Sequence, residues 1–72
     1  MGSYIQFIAE NSRKVYDVLL RCTRCSFGEL LQRCQLAGPE LGMALVQLLR
    51  DNKIEQEYAA QGVYYRLAVV AS

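Results

Sequence analysis

The sequence contains no histidine and no tryptophan, and among its 72 residues there are only three cysteines and one proline. A structural zinc site takes four nitrogen or sulfur ligands, which one such chain does not supply. The lack of histidine also removes the commonest general base from any catalytic arrangement. Because no nucleophile–base pair and no phosphate-binding glycine loop is visible either, we expect no enzyme, no metal, no cofactor and no small-molecule substrate.

Long apolar runs are also missing from the chain. None approaches the roughly 20 residues that cross a bilayer, so we expect no membrane partner. The first residues lack the basic segment of a signal peptide, and Glu10 comes early, which indicates an intracellular protein, cytoplasmic or nuclear. The length suits a single domain. We place that domain at residues 4–68 and interpret residues 1–3 as a tag remnant and residues 69–72 as a frayed tail.

The three cysteines, Cys22, Cys25 and Cys34, are an odd number and do not suit a disulfide framework. The C-x-x-C spacing of the first two is compatible with metal or redox chemistry. A three-cysteine iron–sulfur site completed by an outside ligand therefore stays open. Free cysteine usually behaves as a small buried hydrophobe, and all three positions suit one. We predict that the three cysteines pack in the interior.

Two helices joined by a tight turn are predicted over residues 25–54. Ser26 is followed three residues later by Glu29, the pattern of a capping box at a helix N-terminus. Pro39 ends that helix and suits the first turn of the next one. Asn52 is a good left-handed stop for the second helix. One apolar stripe runs along this helix: Leu41, Ala44, Leu45, Leu48 and Leu49.

Before this pair, residues 4–10 and 13–22 both have helical spacing, with Asn11 and Ser12 either interrupting the first helix or capping the second. Residues 23–25 are predicted to form a short extended connection. After Asn52 the apolar period becomes two, over residues 54–58 and 63–67. A glycine-containing turn of about four residues separates these runs, which predicts a β-hairpin.

The resulting order of helix, short strand, helix, helix, strand, strand resembles that of a winged helix-turn-helix domain. The resemblance implies a small single-domain α+β fold with three or four helices and a C-terminal two-stranded β wing. Residues 15–22, 44–54 and 63–67 are most similar to winged-helix modules of RNA polymerase III accessory subunits, which implies a place in a transcription assembly. The segments that carry the resemblance are Cys25–Leu30, the leucines Leu36, Leu41, Leu45 and Leu48, Asn52–Ile54 and Gly62–Leu67.

Nucleic-acid binding is one function that this resemblance implies. In DNA-binding members of the superfamily the third helix enters the major groove. Off the apolar stripe only Gln47 and Arg50 suit bases or phosphates, and Glu40 opposes phosphates. Four further cations could contact the phosphate backbone of DNA: Arg13, Lys14, Lys53 and Arg66. The net charge of only +1 predicts weak, salt-sensitive contact. The alternative is a sequence-specific transcriptional regulator that reads the major groove with helix 39–52.

Protein docking is the other function, and it is the one that we favour. Met43 and Val46 lie off the stripe and would form an apolar patch on the third helix. Burial of both against the N-terminal helix stays open as the alternative. Tyr4 and Phe7 add apolar area at the N-terminus, so a homodimer built there is a further expectation. The sequence thus predicts a module of a transcription or nucleic-acid-processing assembly that docks a protein and contacts DNA weakly.

Overall fold

The computed structural model describes the backbone of residues 3–68 and the side chains of residues 8–68. Within that range it has an α+β fold, which confirms the predicted class, with three helices and one antiparallel sheet of strand order β1-β3-β2. The expected two-stranded sheet is wrong, since β1 adds a third strand. The predicted tail at 69–72 lies outside the described residues. The elements are α1 Ser3–Arg21, β1 Cys25–Ser26, α2 Phe27–Cys34, α3 Gly38–Arg50, β2 Ile54–Ala59 and β3 Gly62–Leu67.

The first helix is continuous, and the predicted break at Asn11 and Ser12 is wrong. These two side chains are only 3% and 8% exposed, so they face the interior of the domain and do not cap a helix end. They continue the buried face of α1, which also carries Val15 and Leu19. At 1.5 Å per residue, α1 is roughly 28 Å long.

Local signals set the ends of α2. The Ser26 amide donates to Glu29 Oε1 over 2.8 Å, and the Glu29 amide donates to Ser26 Oγ over 3.2 Å. This pair confirms the predicted capping box. The helix closes at Gln35, whose left-handed φ of 55° lets its amide donate to the Leu31 carbonyl over 3.0 Å.

The N-terminus of α3 has only one of the two hydrogen bonds of a capping box. The Ala37 amide donates to Glu40 Oε1 over 3.0 Å, but alanine offers no side-chain acceptor in return. At the other end Asn52 has φ of 59°, as predicted for a left-handed stop. The Lys53 amide then donates to the Leu48 carbonyl over 2.9 Å, a bond that satisfies one of the last helical carbonyls.

The sheet places β1, which precedes α2, beside the C-terminal hairpin of β2 and β3. In β1, Cys25 lies opposite Tyr65, while Ile54 of β2 lies opposite Leu67 of β3. The hairpin turn has two residues and not the expected four, because Ala59 and Gly62 themselves pair. Gly62 adopts φ of +141°, which only glycine takes without strain.

The core lies between the three helices and one face of the sheet. Four of the five stripe residues of α3 are buried, and Leu49 packs against their cluster. None of the helices in the described range is long and apolar enough to cross a membrane. The buried hydrophobic residues are Val15, Leu19, Cys25, Leu30, Cys34, Leu41, Ala44, Leu45, Leu48 and Ile54.

Candidate functional site

The outward face of α3 carries two exposed apolar side chains. Met43 is 40% exposed and Val46 is 54% exposed. Residues three apart on a helix are neighbours on its surface, so the two form one patch. The patch lies beside the buried stripe and not on it, which is where the sequence pattern places these residues.

A groove runs between this face and the first helix, and we call it the α1–α3 groove. Its first section, of about 480 Å³, is lined by Ile8 together with Met43 and Val46. Its second section, of about 710 Å³, continues along α1 past Tyr16. Ile8 and Gln47 line both sections, so the two sections are adjacent.

The α1–α3 groove has a mainly apolar floor and charged edges. Its cations exceed its acids by one, so the surface is weakly positive. Asp51 Oδ2 accepts a hydrogen bond from Gln47 Nε2 over 3.1 Å, a contact between side chains four residues apart. The charged residues that line the groove are Arg13, Arg50, Lys53, Asp17 and Asp51.

The structure divides the candidate DNA-binding residues among three places. Lys14 acts electrostatically on Cys34 of α2, which places it near the second helix. Arg66 lies on the sheet. The remaining four line the α1–α3 groove together with the apolar pair: Arg13, Gln47, Arg50 and Lys53. Four of the six candidate DNA-binding residues therefore share one surface with Met43 and Val46, while Lys14 and Arg66 lie elsewhere.

On the outer face of the sheet, charged side chains form ion pairs with one another. Arg66 Nη2 lies 2.9 Å from Glu55 Oε1, and Arg66 Nε lies 3.2 Å from Glu57 Oε1. Arg24 also donates to Glu57, and its guanidinium lies 4.2 Å from the centre of the Tyr64 ring. Partly exposed pairs of this kind each contribute little stability. They do place two carboxylates beside Arg66, and these negative charges oppose the approach of a phosphate to it.

The far end of the hairpin exposes an aromatic side chain that the sequence analysis did not single out. Tyr58 is 76% exposed and lies opposite Val63 in the sheet. Its hydroxyl donates to Gln56 Oε1 over 3.2 Å. Strand alternation places Tyr58 on the same face as the buried Ile54, but the hairpin extends beyond the core, and this extension has no local sequence signal.

The N-terminal candidates and the cysteines complete the site residues. Tyr4 and Phe7 lie in α1, and their side chains are outside the described part of the structure. Among the described residues, no three histidine, cysteine or acidic side chains are grouped closely enough to hold a metal ion. All three cysteines are free thiols: Cys25 and Cys34 are buried, and Cys22 is half-buried.

Comparison of the chain with protein-family models, with curated proteins and with solved structures found no match.

Proposed function

We propose that this chain is a winged-helix module of a transcription or other nucleic-acid-processing assembly, and that it acts by docking a protein in the α1–α3 groove. The observation that carries the proposal is the exposure of Met43 and Val46 beside that groove. Contiguous exposed apolar side chains usually mark partner surfaces. The flexible thioether of methionine adapts well to a partner surface.

The order of the elements supports the winged-helix part of the proposal. A short strand follows the first helix, two helices joined by a tight turn come next, and a hairpin follows the third helix. The capped start of α2 and the left-handed stop at Asn52 agree with the residues on which the resemblance rests.

The shape and charge of the groove favour an amphipathic helix as its occupant. The helices α1 and α3 form the walls of the groove. A helix of the partner packs well against such a pair through an apolar stripe. The excess of one positive charge, contributed by Arg13, Arg50 and Lys53 against Asp17 and Asp51, attracts a partner with acidic residues beside its stripe.

Contact with DNA is the weaker part of this function. On and next to α3, Glu40 and Asp51 oppose Arg50, which leaves a net charge of −1 on the helix that would enter a groove. Arg66 is already paired with Glu55 and Glu57. Any binding to phosphates is then expected to be non-specific and salt-sensitive.

The docking proposal is tested by placing charge in the apolar patch. The double variant Met43→Asp with Val46→Asp should weaken partner binding by about 100-fold, or ~2.7 kcal/mol, because aspartate cannot be buried there without a partner charge. The partner is first identified by native purification, and its purified form is then titrated into each variant by calorimetry. Light scattering tests whether a second copy of this chain occupies the groove.

The matched control is Leu20→Asp on α1, where an equally exposed leucine lies outside the groove. It should leave partner binding unchanged, and circular dichroism should show all three proteins folded.

For DNA, neutralising Arg13, Lys14 and Arg66 should lower a weak affinity and reduce the salt slope by about one unit per lost phosphate contact. Intact partner binding in the aspartate pair, with tight sequence-selective DNA binding that the basic triple abolishes, would overturn the proposal.

A further inference from the structure

The strand β2 lies at one edge of the sheet, with β3 as its only neighbour among the described strands. Its six residues pair with β3 without interruption, and Ala59 and Gly62 close a two-residue turn. The pair that closes such a turn is hydrogen-bonded, and hydrogen-bonded pairs alternate with non-hydrogen-bonded pairs along an antiparallel ladder. The amides and carbonyls of Ile54, Gln56 and Tyr58 therefore point away from β3, toward the free edge.

Much of this edge is open to solvent. Ile54 is buried at the start of the strand, but Gln56 is exposed and Tyr58 is 76% exposed. Proteins commonly block an edge strand with a proline, a lysine or a β-bulge, and residues 54–59 contain none of these. The outward amides and carbonyls of Gln56 and Tyr58 can thus pair with a further strand.

The side chains beside the open edge differ between the two faces of the sheet. Glu55 and Glu57 lie on the outer face, where both pair with Arg66 of β3. Tyr58 lies on the other face, opposite Val63, which is 36% exposed. Because side chains alternate along a strand, an added strand would place one row of side chains beside two carboxylates and the other row beside an aromatic ring.

The two glutamates disfavour a second copy of this chain at the edge. Two antiparallel β2 strands pair through their outward residues, with Gln56 opposite either Gln56 or Tyr58 of the second copy. A glutamate then lies directly opposite a glutamate in both registers, which is destabilising. A basic side chain in the same place instead meets Glu55 Oε2, which pairs with no cation among the described residues.

We infer that the β2 edge is a second interaction surface, which takes as an added strand an extended segment of another protein that alternates basic and apolar residues. The backbone of this segment bonds to the amides and carbonyls of Gln56 and Tyr58. Its basic side chains lie beside Glu55 and Glu57, and its apolar side chains pack against the ring of Tyr58. The residues that line the two described sections of the α1–α3 groove all precede β2, so the two surfaces are separate.

The test uses the full chain and two six-residue peptides with blocked ends, one alternating lysine with valine and the other glutamate with valine. On titration with the lysine peptide, the backbone amide signals of Gln56 and Tyr58 should shift to saturation in NMR spectra. Both amides should also exchange with solvent more slowly, because they gain hydrogen bonds. The glutamate peptide should bind roughly tenfold more weakly. A lysine peptide methylated at its valine nitrogens should not bind, because those nitrogens face β2 and have lost their donors.

Variants of the chain separate the edge from the groove. Gln56→Pro removes an outward amide and keeps the bonds between β2 and β3, so it should fold and lose peptide binding. If it does not fold, Glu55→Gln with Glu57→Gln serves instead and should weaken the lysine peptide by about fivefold. Met43→Asp with Val46→Asp is the matched control in the groove, and it should bind the lysine peptide as the wild type does.

Three outcomes would overturn the inference. Equal binding of the lysine and glutamate peptides would show that the carboxylates do not select the strand. Undiminished binding of the methylated peptide would show charge attraction without strand pairing. A dimer of the chain alone in light scattering, abolished by Gln56→Pro, would show that a second copy fills the edge.

Discussion

At the scale of single residues, Ser12 carries the one buried side-chain polar atom among the described residues that lacks a hydrogen-bond partner. Its hydroxyl oxygen is buried in the middle of α1 and has no hydrogen-bond partner among the described residues. Leaving a buried hydroxyl unpaired costs roughly 1–3 kcal/mol. Alanine at this position would remove that cost and also has a better helix propensity than serine.

We therefore expect Ser12→Ala to raise the free energy of unfolding by about 1 kcal/mol, measured by urea denaturation. Ser26→Ala is the matched control, because the same substitution there removes the side-chain acceptor for the Glu29 amide. That variant should lose about 1 kcal/mol, as N-cap serines do. A clear loss of stability in Ser12→Ala would mean that the Ser12 hydroxyl binds a group we have not identified.

Glu29 gives the domain a pH-dependent element of stability. Its carboxylate accepts the Ser26 amide hydrogen bond, which holds the pKa of Glu29 below its ordinary value. A carboxyl whose pKa is lowered by folding stabilises the folded state above its unfolded pKa, and this contribution is lost as the pH falls through the folded pKa. The loss should therefore begin near pH 4.5, the ordinary value, and continue below it.

The variant Glu29→Gln keeps the size of the side chain and removes its titration. Wild type should be more stable than this variant at pH 7, and the difference should shrink at pH 3. Urea denaturation at the two pH values measures both quantities. An equal difference at pH 7 and pH 3 would show that the carboxylate charge has no part in capping α2.

At the scale of elements, the helices whose signals are local could be predicted from the sequence. The capping box of α2, the stripe of α3 and the stop at Asn52 each depend on residues within a few positions of one another. The continuity of α1 could not be predicted, because Asn11 and Ser12 are typical of helix ends and only their burial by distant elements overrides that preference.

The apolar stripe of α3 supplies a sharp test at this scale. Leu45 is 3% exposed and its neighbour Val46 is 54% exposed, so adjacent residues of one helix face opposite environments. Leu45→Ala should lower the free energy of unfolding by roughly 2–5 kcal/mol, as core truncations do. Val46→Ala should change it by no more than about 0.5 kcal/mol. Similar losses from both variants, in urea denaturation, would mean that α3 is rotated relative to the core.

The candidate site follows the same division between local and distant signals. Met43 and Val46 could be found by elimination, since they are the apolar residues left outside the stripe. The groove beside them could not, because Ile8 and Tyr16 belong to α1 and their position depends on how two helices cross. Likewise, nothing near Arg66 in the sequence predicts its pairing with Glu55 and Glu57, which follows from the hairpin register.

At the scale of the whole molecule, the net charge of +1 is distributed unevenly over the surface. On the outer face of the sheet, two arginines and two glutamates neutralise one another. The unpaired excess remains in the α1–α3 groove, with three cations against two acids. The surface with the exposed apolar pair is thus also the one with a residual field, a combination that serves protein recognition better than it serves a phosphate backbone.

The two-residue strand β1 has a consequence for folding as a cooperative process. It brings Cys25 and Ser26 beside Tyr65 and Tyr64, closing a loop of about 40 residues that contains α2, α3 and β2. The hairpin and the helical pair are each local units, and both contribute residues to the buried cluster that contains Cys25. Loss of either the hairpin or the helical pair is therefore expected to unfold the other. The domain should then unfold in a single all-or-none transition.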